Sequence, residues 1–368
     1  MGSIIGDNIK LSLFGESHGA GVGVVIDGLP AGIKIDEDFM NFQLSKRKSF
    51  SNLSTLRLEE DKVEFLSGVF NGYTTGTPLT IFIKNENVNF ANYEEMKDIA
   101  RPGHADFTAN LKYHGYQDYR GGGHFSGRLT APLVAAGSIA LKILENKGVK
   151  IGTRIKSLHN IKDVDLDPKY ISDVIDKWNL LLFPVTCDNI SEKMKEEILK
   201  ARENLDSVGG ILESYILPNN LVIGEPYFNS LESKLASYLF SIGGVKGVEF
   251  GLGFDFAKKL GSEVSDELVY EEGKVSAPYN YNGGINGGIS NLQPIIVRCV
   301  VKPTPSIYSS QNTINMKTNE NVLLHIKGRH DPAIIHRARV VVDSLIALAI
   351  LDLCSISYGS EWLRCNTD

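Results

Sequence analysis

Five short stretches of this sequence combine glycine or proline with side chains that bind anions or transfer protons. Glycine lets a backbone bend sharply or approach a ligand closely, while His, Arg, Lys, Ser and Asp supply charge, hydrogen bonds and protons. Because an acidic chain gathers basic groups in several such places, we predict a polyanionic small ligand and histidine acid/base groups. The stretches are FGESHGAGVG (14–23), RPGHAD (101–106), YRGGGHFSGR (119–128), NGGINGGIS (282–290) with VKPTPS (301–306), and KGRHDP (327–332).

None of these stretches matches a common nucleotide or metal motif. The glycines at 121, 123 and 127 are spaced one residue too far apart for GxGxxG, and the single Gly-Lys pair, at 273–274, continues with valine. HExxH is absent, and the four cysteines form no CxxC pair. The sequence therefore predicts neither a dinucleotide-binding fold, nor a P-loop, nor a metal site.

Each stretch taken singly has a simpler interpretation. Glycine clusters usually mark turns, and a lone histidine beside glycine is at least as often a loop residue as a catalyst. The Arg-His pair of KGRHDP is also similar to that of phosphatases, although these have glycine where Asp331 stands. The glycines at 121–123 carry more weight, because we predict that they open a helix whose N–H groups, with Arg128, bind an anion.

Composition narrows the class of protein. The 368 residues carry a net charge of -6 with a pI near 5.8, which argues against a nucleic-acid partner because such proteins need a basic face. The widely spaced cysteines are expected to be reduced, as in the cytoplasm, and the N-terminus lacks the features of a signal peptide. The most apolar run, residues 340–353, contains two aspartates and predicts a core helix rather than a membrane span.

Hydrophobic periodicity predicts strands and helices in mixed order. Alternation predicts one strand ending at Phe14 and others over residues 22–26, 63–69 and 78–83, with the FGESHG loop joining the first two. Helical periodicity predicts helices over residues 129–144, 194–205 and 333–354 and one with Asn229 as its N-cap. This order favours an α+β fold over a doubly wound sheet, and the lack of a linker favours one domain over residues 1–368.

Taken in order, the stretches resemble the sequence blocks of the chorismate synthase family. GESHG followed by VVIDGLPAG is similar to the N-terminal block of the family, and LSGVFNGYTTGTP, RPGHAD, RGGGHFSGR, VKGVEFG, NGGINGGIS, KPTPS and GRHDP are similar to later ones. The resemblance runs from about Phe14 to Asp352, and so many ordered blocks make it highly specific. It implies a β-α-β sandwich, with helices packed between antiparallel sheets, that assembles as a homotetramer.

The resemblance also implies a reaction. The family consists of carbon–oxygen lyases of the shikimate pathway, which convert 5-enolpyruvylshikimate 3-phosphate to chorismate by anti 1,4-elimination of phosphate and a ring proton. Reduced FMN is required without net redox change, since transient electron donation assists C–O cleavage. NADPH is a candidate reductant, and the sequence leaves open whether the protein reduces its own FMN or depends on an external flavin reductase.

By the same resemblance, individual residues acquire roles. His18 is expected to protonate the departing phosphate, His104 to donate a proton to the flavin, and Asp331 to help accept the substrate proton. The substrate anions are assigned to Ser17, Arg47, Arg128 and Arg329, and Arg47 is also assigned to NADP. The residues assigned to FMN are His124, Phe125, Ser126, Gly243, Gly244, Gly287, Lys302, Pro303, Thr304, Pro305, Ser306 and Arg329.

Two other classes of protein stay open at this point. One is a different flavin- or phosphate-handling enzyme, such as a reductase or a phosphatase. The other is a non-catalytic binding protein, which would release no phosphate in any flavin state.

Overall fold

The computed structural model describes residues 2–48, 53, 60–86, 96–166, 170–271, 273–326 and 330–364. Its strands are β1 (Ile4–Ile5), β2 (Lys10–Gly15), β3 (Gly21–Asp27), β4 (Val63–Ser67), β5 (Val69–Phe70), β6 (Tyr73–Thr74), β7 (Leu79–Lys84), β8 (Lys150–Leu158), β9 (Ile161–Lys162), β10 (Gly210–Leu217), β11 (Val245–Phe250), β12 (Val269–Glu271), β13 (Lys274–Ser276), β14 (Ile285–Asn286), β15 (Ile289–Ser290), β16 (Ile295–Val301), β17 (Gln311–Asn315) and β18 (Glu320–Leu324). Its α-helices are α1 (Glu37–Ser45), α2 (Asp106–Tyr113), α3 (Thr130–Asn146), α4 (Ile171–Leu180), α5 (Asp188–Glu203), α6 (Leu231–Phe240) and α7 (Ile335–Tyr358).

The first antiparallel sheet has the strand order β1-β2-β3-β7-β4 and carries the FGESHG loop. Strands β2 and β3 pair from Lys10 opposite Asp27 to Gly15 opposite Val22. The residues between them therefore form a short connection at one end of the sheet, as the alternating sequence predicts. Because β3 is a central strand, its apolar residues Val22 and Val24 are fully buried.

The second antiparallel sheet has the order β11-β16-β10-β8-β9 and is crossed by a buried charge network. Glu213 on β10 lies opposite Arg154 on β8 and Arg298 on β16. Its carboxylate accepts from Arg154 at 2.7 Å and from Arg298 at 3.1 Å, and Asp163 accepts from Arg154 at 2.9 Å. Each buried charge thus has an opposite partner, without which burial would cost several kcal/mol.

Two long apolar helices pack against the two sheets and against each other. Helix α3 packs against β3 and β7, helix α7 packs against β8 and β10, and the two helices pack on each other. The close approach depends on Gly137, where a Cβ would lie 2.6 Å from Ser344 Cα. By length and composition alone the segments Gly127–Asn146 and Ile335–Tyr358 are apolar enough to cross a membrane, but 78% and 89% of their apolar windows are buried inside the protein. They are core helices, as predicted for the second.

Two local predictions need correction. Helix α6 begins one residue later than predicted, because the Oγ of Ser230, rather than the side chain of Asn229, accepts the first free N–H, from Ser233. The glycines at 121–123 do not open an α-helix, since α3 starts only at Thr130. They lie instead in a tight turn within Arg120–Phe125, with non-helical φ angles of 58°, 86° and 52°.

A buried carboxylate near the C-terminus holds the first strand pair in place. Asp352 on α7 is fully buried and accepts hydrogen bonds from the backbone N–H groups of Asp7, Asn8 and Ile9 at 3.0, 2.8 and 2.8 Å. These donors lead directly into β2, which carries the FGESHG loop. Such charge-assisted hydrogen bonds are stronger than neutral ones. The Asp352 side chain therefore anchors residues 7–9, the segment that leads into β2.

Replacing this carboxylate should destabilise the protein. In Asp352→Asn one oxygen becomes an NH₂ group that faces backbone donors, so we expect a loss of about 3 kcal/mol in the free energy of unfolding. Urea denaturation measures it. The control is Asp27→Asn, whose exposed carboxylate accepts from the neighbouring Gly28 N–H, and which should change stability by less than about 0.5 kcal/mol. Equal stability of both variants would mean that Asp352 is not an anchor.

Candidate active site

The glycine turn at residues 121–123 leaves no room for side chains. All three glycines have positive φ, which disfavours any other residue. A Cβ at Gly121 would overlap the His18 ring and lie 3.0 Å from Ser17 Oγ, and a Cβ at Gly123 would overlap the Asp118 carbonyl. The sequence needs glycine here because the backbone itself lies against the FGESHG loop.

Ser17 and His18 are buried on one side of this turn. The backbone N–H of Ser17 donates to Gly123 O at 3.1 Å, and Ser17 Oγ donates to the carbonyls of Arg120 and Gly121 at 3.1 and 3.2 Å. The same Oγ lies 3.0 Å from His18 Nδ1. Since the hydroxyl proton points to the carbonyls, Nδ1 is the donor to Oγ. His18 Nδ1 is thus held by Ser17 Oγ.

His104 lies on the other side, against Gly122. A Cβ at Gly122 would be 3.3 Å from His104 Cε1 and 3.4 Å from Nε2, so the missing side chain admits the ring. His104 Nδ1 lies 2.8 Å from an Asp106 carboxylate oxygen, which can only accept, so Nδ1 donates. The turn thus has a histidine on each side, each with Nδ1 bound by the protein and Nε2 as its second nitrogen.

Arg101 fixes the carboxylate that orients His104. Its Nε and Nη2 donate to Asp106 at 2.7 and 2.8 Å. Burial alone would raise the pKa of Asp106, but hydrogen bonds from Arg101 and His104, together with their charges, outweigh it and hold that pKa well below its usual range. Asp106 therefore stays ionised at neutral pH and keeps His104 in one tautomer.

Two arginines converge on one carboxylate near the end of the turn. Asp61 accepts from Arg47 Nη1 at 2.8 Å and from Arg128 Nη1 in a very short contact, and all three side chains are buried. Arg47 Nε also donates to Thr130 Oγ1 at 3.0 Å. Asp61 therefore holds both guanidinium groups in fixed positions beside Gly127 and Thr130.

Asp331 is linked to these arginines through the last helix. Its carboxylate accepts from Arg337 Nη1 at 2.6 Å, and Arg337 Nε donates to the backbone carbonyl of Arg47 at 2.7 Å. The neighbouring His330 has a lowered pKa because of burial and the charge of Arg101, partly offset by Asp331. Asp331 is thus linked to the Arg47 backbone through Arg337, and His330 is near Arg101. Arg329 lies outside the described residues.

The KPTPS loop contacts the RPGHAD loop. Lys302 Nζ donates to Gly103 O at 2.6 Å, Lys302 N donates to Gly244 O at 2.9 Å, and a Cβ at Gly103 would lie 3.2 Å from Pro305. Thr304 O accepts from Ser207 Oγ at 2.7 Å, but Thr304 Oγ1 is buried and has no hydrogen-bond partner among the described residues. Such an orphaned polar atom needs a partner that the protein does not supply.

Other assigned residues lie less centrally. Both ring nitrogens of His124 have protein partners, Gly15 O at 2.9 Å and Ser3 Oγ at 3.1 Å, so only its ring face and backbone are available to a ligand. Gly287 lies in the β14–β15 hairpin, which contacts the segment around Leu231. Gly243 is exposed with open space around it. Phe125 is half exposed beside the turn, and the next residue, Ser126, accepts a hydrogen bond from Arg128 N. Pro303 and Ser306 belong to the KPTPS loop.

Sequence reasoning missed several residues that hold the site. Asp61, Arg101, Asp106 and Arg337 position the assigned residues, yet none was singled out. Arg101 and Asp106 could have been found, because they flank His104 within RPGHAD and their charges need partners. Asp61 had no such signal, since it is one of three consecutive acidic residues far from the glycine turn.

Comparison with known proteins gives one consistent result. The profile of the family described as chorismate synthase matches residues 9–354. Chorismate synthase of Pyrococcus abyssi is 46% identical over 345 residues, 94% of this chain and 95% of that protein, and that of Lachnoclostridium phytofermentans is 45% identical over 364 residues, 98% and 97% of the two chains. A solved structure titled "Crystal Structure of Chorismate Synthase" superposes with a TM-score of 0.76 at 26% identity, covering 98% of this chain and 96% of the other.

The close approach at the glycine turn can be tested directly. Gly121→Ala combines a positive φ with an overlap of the His18 ring, so we expect a loss of about 3 kcal/mol in stability and displaced His18 imidazole NMR signals. Gly127→Ala is the matched control, because a Cβ there meets nothing within 4 Å. Undisturbed His18 signals in Gly121→Ala would show that the turn does not confine the ring.

Proposed function

Because the chain belongs to the chorismate synthase family, we propose a specific division of labour among its residues for the family's reaction. The chain is a carbon–oxygen lyase that eliminates phosphate from 5-enolpyruvylshikimate 3-phosphate to give chorismate in the shikimate pathway. The observation that carries the residue roles is that His18 lies against Gly121 and His104 against Gly122 of one glycine turn. Two acid/base groups at one turn suit a reaction in which a phosphate leaves and a proton is transferred.

The arginines receive the substrate anions. A phosphate monoester carries a charge of about -1.5 to -2. Arg47 and Arg128 are both held by Asp61, and Arg47 Nη2 also donates to Gly127 O, just after the glycine turn. Because both side chains are pre-positioned by protein contacts, little conformational entropy remains to be lost on binding. Arg329 is proposed to complete this anion site.

His18 is proposed as the acid for the leaving phosphate. Its Nδ1 is held by Ser17 Oγ, so protonated Nε2 carries the proton to be delivered. His104 is proposed to hold the corresponding proton on Nε2 on the flavin side, since Asp106 fixes its Nδ1. Asp331, whose carboxylate accepts from Arg337 Nη1 at 2.6 Å, is proposed to help accept the substrate proton.

The residues present fit reduced FMN. Two buried polar atoms lack a hydrogen-bond partner among the described residues and could bind such a group: Thr304 Oγ1, and Gln117 Oε1 near the half-exposed Phe125 ring. The glycine turn, which has no side chains, offers a backbone surface that a flat anionic group can approach closely. Lys302, Thr304, Ser306, Ser126, His124, Gly243, Gly244, Gly287 and Arg329 would contribute to holding it. Reduced FMN supplies transient electron donation that assists C–O cleavage, without net redox change.

Several finer features belong to the same proposal. A single β-α-β sandwich domain is supported by two observations. Helices α3 and α7 together contact both sheets, and one core cluster includes residues of both sheets. By family resemblance the protein is a cytoplasmic homotetramer. On the same basis we propose that Arg47 contacts NADPH. FMN is reduced either by this chain or by an external flavin reductase.

The reaction itself is tested by phosphate release. We expect purified protein to release phosphate and chorismate together from 5-enolpyruvylshikimate 3-phosphate with dithionite-reduced FMN, and neither product with oxidised FMN. Stopped-flow absorbance and a phosphate-binding assay measure the two products. Equal activity in both flavin states would remove the flavin from the mechanism, and release of phosphate without chorismate would favour a phosphatase.

The two histidines should show defects that differ in kind. His18→Ala and His104→Ala should each slow turnover by about 10²- to 10⁴-fold, the usual contribution of general acid catalysis, while both ligands still bind. A fluorinated phosphate leaving group should recover part of the rate only in His18→Ala, because it needs less protonation. The spectrum of bound reduced flavin should change only in His104→Ala.

His159→Ala is the matched control for these variants. His159 is exposed and its Nδ1 lies 2.6 Å from Glu197, far from the turn in sequence, so turnover should be unchanged. Near-normal turnover in both site variants would make the histidines structural. Rescue of His104→Ala by the fluorinated substrate would instead exchange the two roles.

A further inference from the structure

A separate cavity lies next to the active-site arginines and is not used by the reaction described above. Its volume is about 390 Å³, within the range of small-ligand sites. It is bounded by α1, by the end of α3, by the start of β8 and by the end of α4. Apolar walls come from Phe39, Phe42, Leu141, Leu144 and Ile151, and Lys46 and Asp343 line it as well. We call it the Lys46 cavity.

Lys46 is the unusual member of this lining. Lys46 is buried, with only 2% of its surface exposed. Its Nζ donates to Gln43 Oε1 at 3.0 Å and lies 4.2 Å from the centre of the Phe42 ring. Among the described residues no carboxylate oxygen lies within ion-pair distance of this amine. A buried ammonium has three donors to satisfy, and a single amide oxygen satisfies one of them.

The surrounding charges do not neutralise Lys46. Asp343 is the nearby carboxylate, but its oxygens accept from Thr153 Oγ1 at 2.6 Å and from Arg339 Nη1 at 2.9 Å. At the cavity mouth, Lys150 is paired with Asp176 at 2.6 Å and Glu145 with Lys142 at 2.9 Å. Protonated Lys46 and Arg339 therefore face one carboxylate, which leaves one positive charge without compensation.

We propose that the Lys46 cavity binds a small monocarboxylate with an apolar ring, whose carboxylate pairs with the Lys46 amine. The apolar walls would take the ring, and one anionic group would balance the one excess charge. Lys46 directly precedes Arg47, whose side chain points instead to Asp61 and Thr130. An occupied cavity thus lies on the opposite side of the chain from the substrate-binding arginine, and it is a second ligand site rather than part of the first.

Protonation provides a signature of this site. Burial, and the charge of Arg339, lower the pKa of Lys46 from 10.5 to about 7, with Asp343 opposing them. Above pH 7 the free amine is mostly neutral, and a bound carboxylate favours the ammonium form. Binding should therefore take up close to one proton at pH 8 and almost none at pH 6, and affinity should fall as pH rises above 7.

Phenylacetate is the probe, and its neutral isostere phenylacetamide is the ligand control. We expect calorimetric titration at pH 7 to show phenylacetate binding with a Kd of about 1 mM or tighter, and phenylacetamide binding at least about tenfold weaker. Titration at pH 8 in two buffers of unlike ionisation enthalpy measures the proton uptake. These measurements use the unmodified protein and so do not depend on any variant folding.

Variants then assign the site. Lys46→Met keeps the length of the side chain, removes the amine, and should abolish proton uptake and weaken phenylacetate at least about tenfold. Lys48→Met is the matched control, because the Lys48 amine donates to Glu60 O and does not line the cavity, and it should bind phenylacetate as the unmodified protein does. Saturating 5-enolpyruvylshikimate 3-phosphate should leave phenylacetate affinity unchanged.

Three results would overturn the proposal. They are the absence of phenylacetate binding up to about 10 mM, equal binding of phenylacetate by Lys46→Met, and competition by the substrate, which would place the probe in the active site. None of them bears on turnover with reduced FMN, so the failure of this inference and the failure of the proposed mechanism remain distinguishable.

Discussion

The arrangement of the site depends on one steric constraint, the absence of side chains at three consecutive glycines. The turn at residues 121–123 brings its backbone against His18 on one side and His104 on the other, although these histidines come from loops far apart in the sequence. A Cβ at Gly121 would overlap the His18 ring, and a Cβ at Gly122 would come within 3.3 Å of His104 Cε1. The positive φ values matter as well, since they turn the chain sharply enough for both contacts. The glycines therefore allow the backbone of one turn to contact the imidazoles of both His18 and His104.

Charge is organised around the turn by shared carboxylates. Asp61 holds two arginines, and Asp106 holds Arg101 and His104, so each acidic side chain fixes two basic ones. This explains how a protein of net charge -6 presents a locally basic site. The acidic side chains hold the basic groups in one orientation. Positions fixed before binding lower the entropy lost when the ligand arrives.

The sequence was sufficient to predict the α+β class, the β2–β3 pair with its loop, and the core helix near the C-terminus, because periodicity reports local burial directly. Glycine beside polar side chains marked the FGESHG, RGGGH, RPGHAD and KPTPS stretches, and each of these contacts another of the four. Periodicity could not predict which loops meet, nor that Asp61 would be shared by Arg47 and Arg128, since such pairings depend on sheet order and helix packing. The N-cap of α6 was displaced by one residue because Asn229 and Ser230 both carry capping side chains. The glycine turn was misassigned to a helix start for a related reason: its dihedral angles, rather than its composition, exclude a helix.

The anchor between Asp352 and the backbone of residues 7–9 has a consequence for how the protein is made. The carboxylate and Ile9 N–H are 343 residues apart, so the ribosome releases the first strand long before its last partner exists. Until α7 emerges, the three N–H groups can only be hydrated, and β2 lacks the contact that fixes its start. The His18 loop can therefore reach its final position only at the end of synthesis. A nascent chain that ends early would present an unanchored edge of the first sheet, which is a surface that chaperones and proteases recognise.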